Sequence, residues 1–352
     1  MVTDLARAAG RTFVGCVALL CSTGCSSFDS NELAAEVGDE SAGEVREAVV
    51  VPETIAVNWT GKDAMQAYKG GRNDFETGSV ESRWKAPNNP DGPWNNWSPF
   101  IPAIWTAFEI SAARFANKAQ LVAVHIPQNA LLLKAQLDPD GSWTESTFSS
   151  PWPANVGTVH DIALVSDHPS NNGILLAIAA SSGVWARRRD NVPPSASTTQ
   201  WSSWTLVSSG EATEIAGIQR SDGVQALFWV RSSRLQAAKV RNTFPLSFDV
   251  DTQFGGTKSI SRVATAKTRS WVPIVYAVLT DGSTIQSHDV DRAGSSWVSE
   301  TGGGLGASEK IVSLAASNAS NGREHLFAVT SAGRVLVKWY QSGRAWEPWA
   351  AF

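Results

Sequence analysis

Ile311–Phe352 reads IVSLAASNASNGREHLFAVTSAGRVLVKWYQSGRAWEPWAAF. Four short runs, Ile311–Ser317, His325–Val329, Arg334–Tyr340 and Trp346–Phe352, are parted by segments rich in Gly, Asn and Ser. Apolar runs of this length between such turns read as antiparallel strands. The unit closes on Trp346-Glu347-Pro348-Trp349. The same closure stands at Trp94-Asn95-Asn96-Trp97 and Trp201-Ser202-Ser203-Trp204, and in weaker form at Trp297-Val298-Ser299-Glu300. A fifth copy keeps Trp143, and a sixth has Phe244 to Phe248 instead. From Trp94 the intervals are 49, 58, 43, 53 and 49 residues. A repeat of this period, built of strands that bury both faces only against their neighbours, predicts an all-β chain. The architecture it points to is a β-propeller of six blades, each of four antiparallel strands. Seven blades would need a degenerate copy that the sequence does not contain.

Working outward, the other copies keep the order. First strands begin near Ile55, Glu109, Ile162, Ile215, Val263 and Ile311. Hairpins between second and third strands turn at Asn129, Gly183, Ser233, Gly282 and Gly333, 49 to 54 residues apart. Asp281-Gly282 is a strong hairpin signal, because both positions accept positive φ. The first copy is irregular: Ala64–Tyr68 and Val80–Trp84 are expected to pair across a long loop, Lys69–Ser79. Two ways of closing the ring are open. Whole blades can meet, or Val49–Val51 can complete the last blade from the other end of the domain. Removal of exposed strand edges favours the second.

Composition sets bounds on function. Sixteen tryptophans and only 18% charged residues mark a folded β-rich chain. A net charge of −4 argues against a nucleic-acid footprint, which would be basic. All three cysteines, Cys16, Cys21 and Cys25, precede the repeats, so the repeat region holds no disulfide and no thiolate metal site.

The chain opens with Arg7 and Arg11, followed by the apolar run Phe13–Cys21. That run is too short to span a bilayer and suits a signal-peptide core. Ser22-Thr23-Gly24-Cys25 then resembles a bacterial lipobox, with Ser22 where the pattern usually has Leu. The resemblance implies lipidation at Cys25 and attachment to an outer membrane or cell surface. Cleavage near Gly24 to give a secreted protein is the other reading. The absence of any later cysteine to pair with Cys25 favours the lipoprotein. Residues 26–50 carry seven acidic residues and one basic one, a composition expected to stay solvated as a flexible linker. The expected organisation is therefore 1–25 signal segment, 26–50 acidic linker and 51–352 propeller.

The repeat unit resembles the PLL-like bacterial β-propeller lectins. The resemblance rests on Trp297-Val-Ser-Glu-Thr-Gly302-Gly303-Gly304, on Phe254-Gly255-Gly256 and on the hairpin Leu326–Trp339, LFAVTSAGRVLVKW. It covers residues 52–352. Those lectins commonly have seven blades. The six-bladed fungal fucose lectins, whose repeats have a similar length, are the second resemblance. Both imply binding of fucose or related glycans in clefts between blades, with no catalysis and no cofactor.

Sugar sites pair an aromatic face with donors that bond hydroxyls, and a charged donor makes the stronger bond. Candidates on third strands and the turns after them are Trp84; Trp185 with Arg187 and Arg189; and Trp339 with Tyr340 and Arg344. The Trp-x-x-Trp pairs, present in three of the six copies, read instead as blade packing. An enzyme reading finds little support. Asp138-Pro-Asp-Gly-Ser-Trp143 has the wrong spacing for a sialidase box, and no carboxylate pair stands out for glycoside hydrolysis. The five histidines show no His-x-x-x-His metal spacing. A protein-binding surface scaffold is the remaining alternative, since fold does not fix function. The expected partners are glycans, with membrane contact only through the lipid anchor.

Overall fold

The computed structural model describes residues 51–352, apart from 60–63, 73–77, 86–92, 102–106, 115–119, 127–129, 137–141, 149–151, 167–172, 190–200, 244, 269, 271, 293–294, 301–302, 319–322 and 341–345. The signal segment, Cys25 and the acidic linker lie outside the described residues, as does Arg344.

Six four-stranded antiparallel sheets follow one another along the chain. Blade 1 holds β1 (Val51–Trp59), β2 (Met65–Arg72), β3 (Gly78–Trp84) and β4 (Ser98–Ile101). Blade 2 holds β5 (Glu109–Arg114), β6 (Gln120–Ile126), β7 (Ala130–Gln136) and β8 (Trp143–Phe148). Blade 3 holds β9 (Val159–Ser166), β10 (Ile174–Ala180), β11 (Gly183–Arg189) and β12 (Thr205–Ser209). Blade 4 holds β13 (Glu214–Gln219), β14 (Gln225–Arg231), β15 (Arg234–Thr243) and β16 (Leu246–Asp251). Blade 5 holds β17 (Ile260–Lys267), β18 (Pro273–Leu279), β19 (Ile285–Asp289) and β20 (Val298–Glu300). Blade 6 holds β21 (Ile311–Asn318), β22 (Glu324–Thr330), β23 (Val335–Tyr340) and β24 (Ala350–Ala351). First strands pack side by side around an axis, and β1 touches both β5 and β21, so the ring is closed.

The all-β, six-bladed expectation holds, with two corrections. The first hairpin has no long loop: β2 and β3 stay in register from Gln66↔Trp84 to Arg72↔Gly78, leaving only residues 73–77 between them. Closure does not use a strand from the other end. Val51 pairs with Arg72 inside blade 1, and blade 6 takes its fourth strand from Ala350–Ala351. Whole blades meet at the seam between 6 and 1.

The core lies in the seams between blades, because each middle strand buries both of its faces. In β10, Ile174, Leu176 and Ile178 pack with Leu121, Leu131 and Leu133 of blade 2. The alternate residues, Leu175, Ala177 and Ala179, pack with Leu227 and Trp229 of blade 4. A period of two residues thus splits one continuous apolar strand between two seams. Each such side chain gains roughly 1.5–3 kcal/mol on burial.

Each seam is plugged by aromatics from the end of the following blade. Trp94 serves seam 6/1, Trp143 seam 1/2, Trp201 and Trp204 seam 2/3, Phe248 seam 3/4, Trp297 seam 4/5, and Trp346 with Trp349 seam 5/6. The Trp-x-x-Trp motif is therefore blade packing.

The β10–β11 hairpin turns at Gly183, whose φ is 145°. A Cβ there would stand 2.2 Å from the Ser208 carbonyl oxygen. Backbone strain and steric overlap each cost about 1–3 kcal/mol. Gly183→Ala should therefore lower stability by about 3 kcal/mol, read from the urea midpoint at unchanged m-value.

Candidate functional site: the blade seams

Third strands carry a recurring cation. Single bridges join Lys85 to Trp94, Arg189 to Trp201 and Tyr340 to Trp346, which aligns the blades residue by residue. Main-chain bonds agree: Asn95 N–H donates to Trp84 O, Ser202 N–H to Arg188 O and Glu347 N–H to Trp339 O. Two positions before each bridged residue stand Arg83, Arg187 and Lys338, and the pair Gln136↔Trp143 adds Lys134. Each of these cations lies against aromatic rings. Arg83 Cζ is 5.7 Å from the Trp94 centroid, 5.3 Å from Trp97 and 4.6 Å from Phe352. Arg187 Cζ is 4.9 Å from Trp201 and 4.7 Å from Trp204. Lys338 Nζ is 4.9 Å from Trp346 and 5.3 Å from Trp349, and Lys134 Nζ is 4.5 Å from Phe100.

These cations are partly stripped of water. Burial pulls Arg187 down to about 10 and Lys338 to about 8, and lowers Arg83 as well. Stacking on a ring face offsets part of that penalty, at about 0.5–2 kcal/mol per cation–π contact. Hydrogen bonding does not complete the offset. Arg187 Nε and Nη2 and Arg83 Nε are buried without a protein acceptor. A buried donor left unmade costs about 1–3 kcal/mol, so these N–H groups are primed for an oxygen from outside the chain.

The sequence candidates fall on these seams unevenly. Trp185, Arg187 and Arg189 share the face of β11 turned to blade 2. Trp185 Nε1 donates to Ser182 Oγ at 3.0 Å, and Arg189 is 1% exposed beside Trp201. Trp339 and Tyr340 are parted, because neighbours in a strand point to opposite faces. Trp339 joins seam 6/1, whereas Tyr340 lies on Trp346 in seam 5/6, centroids 5.5 Å apart. Trp84 is equivalent to Trp339 but stands 44% exposed on the face toward blade 2, its backbone N–H donating to Asn95 Oδ1 at 2.6 Å.

Seam 6/1 opens into a cleft of about 470 Å³. Arg83, Lys85, Trp94, His325, Trp339 and Phe352 line it. His325 tilts against Trp339 at 6.4 Å and sits 3.1 Å from the Arg323 carbonyl through Nδ1. The cleft thus offers two indole walls and an unpaired guanidinium nitrogen. Of these residues the sequence singles out only Trp339. The signal for Arg83 and Lys338 is a cation on the third strand ahead of the closing Trp. It is hidden in the sequence because the intervals, 11 residues for Arg83, 14 for Arg187 and 8 for Lys338, vary with the connecting loop.

A second group of charges surrounds the axis. Glu109, Asp161, Glu214 and Arg262 come from the first strands of blades 2, 3, 4 and 5. Burial and mutual repulsion push Glu109 well above the carboxylate range, and the same causes act on Glu214. Burial raises Asp161 to about 7, against the backbone N–H bonds from Ile215 and Ile162.

No family profile and no curated protein sequence matches the chain. Solved structures do. The fucose-specific lectin from Aleuria aurantia superposes with a TM-score of 0.55 at 12% identity, covering 87% of this chain and 96% of that one. AofleA from Arthrobotrys oligospora gives 0.58 at 9%, covering 87% of each. The BP39L lectin from Burkholderia pseudomallei gives 0.55 at 15%, covering 83% and 82%. The fold is that of the six-bladed lectin propellers. At these identities the likeness speaks for architecture alone, and chemistry rests on the seams.

Proposed function

We propose that this protein is a non-catalytic carbohydrate-binding propeller, and that its foremost site is the cleft of seam 6/1. One observation carries the reading: Arg83 presents an unpaired buried Nε in a cleft walled by Trp94 and Trp339. An indole face covers the apolar C–H side of a pyranose, and a guanidinium orients its hydroxyls. Seam 2/3, with Arg187 over Trp201 and Trp204, repeats the pairing of a cation with indole rings. Seams 3/4 and 4/5 have Ala238 and Gln286 in place of the cation, so only a subset of seams binds. Fucose-like sugars are the first class to try, because a structural neighbour is named as fucose-specific. Display at a cell surface through Cys25 would put several weak sites against one glycan surface, a gain of roughly 10²–10⁴ in avidity.

A glycan array followed by titration calorimetry tests the reading. Arg83→Ala and Trp339→Ala should each weaken binding of the best sugar at least about tenfold, some 1.4 kcal/mol. Wild-type protein that binds no sugar, or variants that bind as well as wild type, would overturn it.

A further inference from the structure

We propose that the mouth of the axial channel is a second binding site, for a small organic ligand bearing a protonated amine. Its ammonium would sit between Glu109 and His125, and its carbon skeleton against Phe108 and Val312. This site is built from first strands, the end of the second strand β6 and second-to-third-strand turns, so it stands independently of the glycan reading, which uses third strands and closing tryptophans.

Three observations converge on it. The first is space. A cavity of about 910 Å³ opens at the axis, and Glu109, His125, Phe108, His160, Arg262 and Val312 help to line it. That is the size of small-molecule sites and far more than a bare ion needs. Among the described residues no group of three metal-ligating side chains converges to hold a metal.

The second is unbalanced charge. Three carboxylates face a single guanidinium, and that guanidinium is already engaged. Arg262 Nη1 lies 3.2 Å from Glu214 and donates to Ser261 O at 2.7 Å, while its Nε donates to Val312 O. Asp161 is served by backbone, accepting from Ile162 N–H at 2.7 Å and Ile215 N–H at 2.6 Å. Glu109 has the Thr54 hydroxyl at 2.9 Å on Oε2. The carboxylate nearest the mouth is therefore the one without a strong donor.

The third is an unpartnered imidazole nitrogen. His125 is 5% exposed, and its Nδ1 has no hydrogen-bond partner. Glu109 and His125 are register partners across β5 and β6, which puts their side chains on one face within about 5 Å at Cβ. Burial and the neighbouring His160 hold the His125 ring neutral above about pH 4. A neutral imidazole carries a lone pair on one nitrogen. An ammonium has three donors, and here it meets an imidazole nitrogen and a carboxylate side by side. Phe108, whose ring lies 5.4 Å from His125, adds an aromatic flank.

Titration calorimetry on the full chain with n-butylamine, and with 1-butanol as its uncharged isostere, tests the site. Butylamine should bind one-to-one, and 1-butanol at least about tenfold more weakly. Glu109→Gln and His125→Ala should each weaken butylamine about tenfold, while Arg83→Ala leaves it unchanged. Binding should release a proton as Glu109 ionises, so the measured heat should differ between phosphate and Tris buffers in wild type and not in Glu109→Gln. The groups that face Glu109 and share in this titration are Asp161, Glu214 and Arg262 around the axis, His125 and His160 above it, and Glu53 at the rim. Equal affinity for amine and alcohol, unchanged affinity in Glu109→Gln, or Ca²⁺ binding more tightly than butylamine at the same site would each overturn the proposal. Loss of amine binding with sugar binding intact would sink this site and leave the glycan reading standing.

Discussion

Raising the pH from 6.5 to 8 should destabilise the protein, by roughly 1 kcal/mol through Asp161 and further through Glu109 and Glu214, which are raised in the same direction. Asp161 is raised to about 7 from the ordinary 3.8, and Glu109 and Glu214 are raised well above 4.5. In the unfolded chain all three are ionised by pH 6.5, whereas the folded protein still holds most of a proton on Asp161, with Glu109 and Glu214 shifted in the same direction. The folded state then binds more protons, so stability is fully present below about pH 4 and is lost as pH climbs through the folded values. Glu324, also raised by burial, acts in the same sense. His125, lowered to about 4, acts in the opposite sense, but only below its ordinary 6.5. Lys338, lowered to about 8, acts above that value. The interval from 6.5 to 8 therefore isolates the carboxylates. Glu109→Gln keeps an acceptor for Thr54 and removes one charge. It should flatten the slope and stabilise the protein at pH 8 by about 1–2 kcal/mol. Urea unfolding at several pH values decides this, and parallel curves for the two proteins would contradict it.

Phe352→Ala should be among the most damaging single changes to the ring. The Phe352 ring meets Trp94 at 4.8 Å, Phe327 at 5.0 Å, Trp97 at 5.5 Å and the Arg83 guanidinium at 4.6 Å. Truncating a fully buried Phe costs about 3–5 kcal/mol, and a half-buried one correspondingly less, about 2–3. Among the described residues, seam 6/1 differs from the others in having no strand-to-strand connection across it. The other five are tethered by 4 to 10 residues, from 210–213 to 301–310. A short tether keeps two blades together when packing weakens, whereas ends far apart in sequence have a closure entropy to overcome. Phe352→Ala should thus lower the unfolding midpoint more than Phe248→Ala in the tethered seam 3/4, and should speed proteolysis at both ends of the ring. Equal losses in the two variants would show that the tether is immaterial.

Much of this architecture is legible in the sequence because it repeats. The closing aromatics recur at intervals near 50 residues, and the unbroken apolar run Ile174–Ala180 belongs to a strand buried on both faces. The site is less legible. Trp339 and Tyr340 are adjacent in sequence and read as one cluster, yet the pleat sends them to different seams. Arg83 belongs to the cleft through Phe352, which comes from the far end of the chain. Glu109 and Glu214 open the first strands of their blades, whereas Asp161 is the third residue of β9, where a bulge after Val159 breaks the common spacing. What the sequence hides is mainly closure, the meeting of residues whose proximity depends on six blades completing a circle.

The direction in which the plugs point has a consequence for synthesis. Trp143, Trp201, Phe248, Trp297 and Trp346 each seal the seam with the blade before them. A nascent chain leaving the ribosome can therefore add blades in order, every newcomer bringing the stopper for a surface already made. Blade 1 is the exception. Its Trp94 waits for Phe327 and Phe352, so one indole stays without these partners until blade 6 emerges. The interval between those two events is the period in which an unfinished ring is open to capture by another copy.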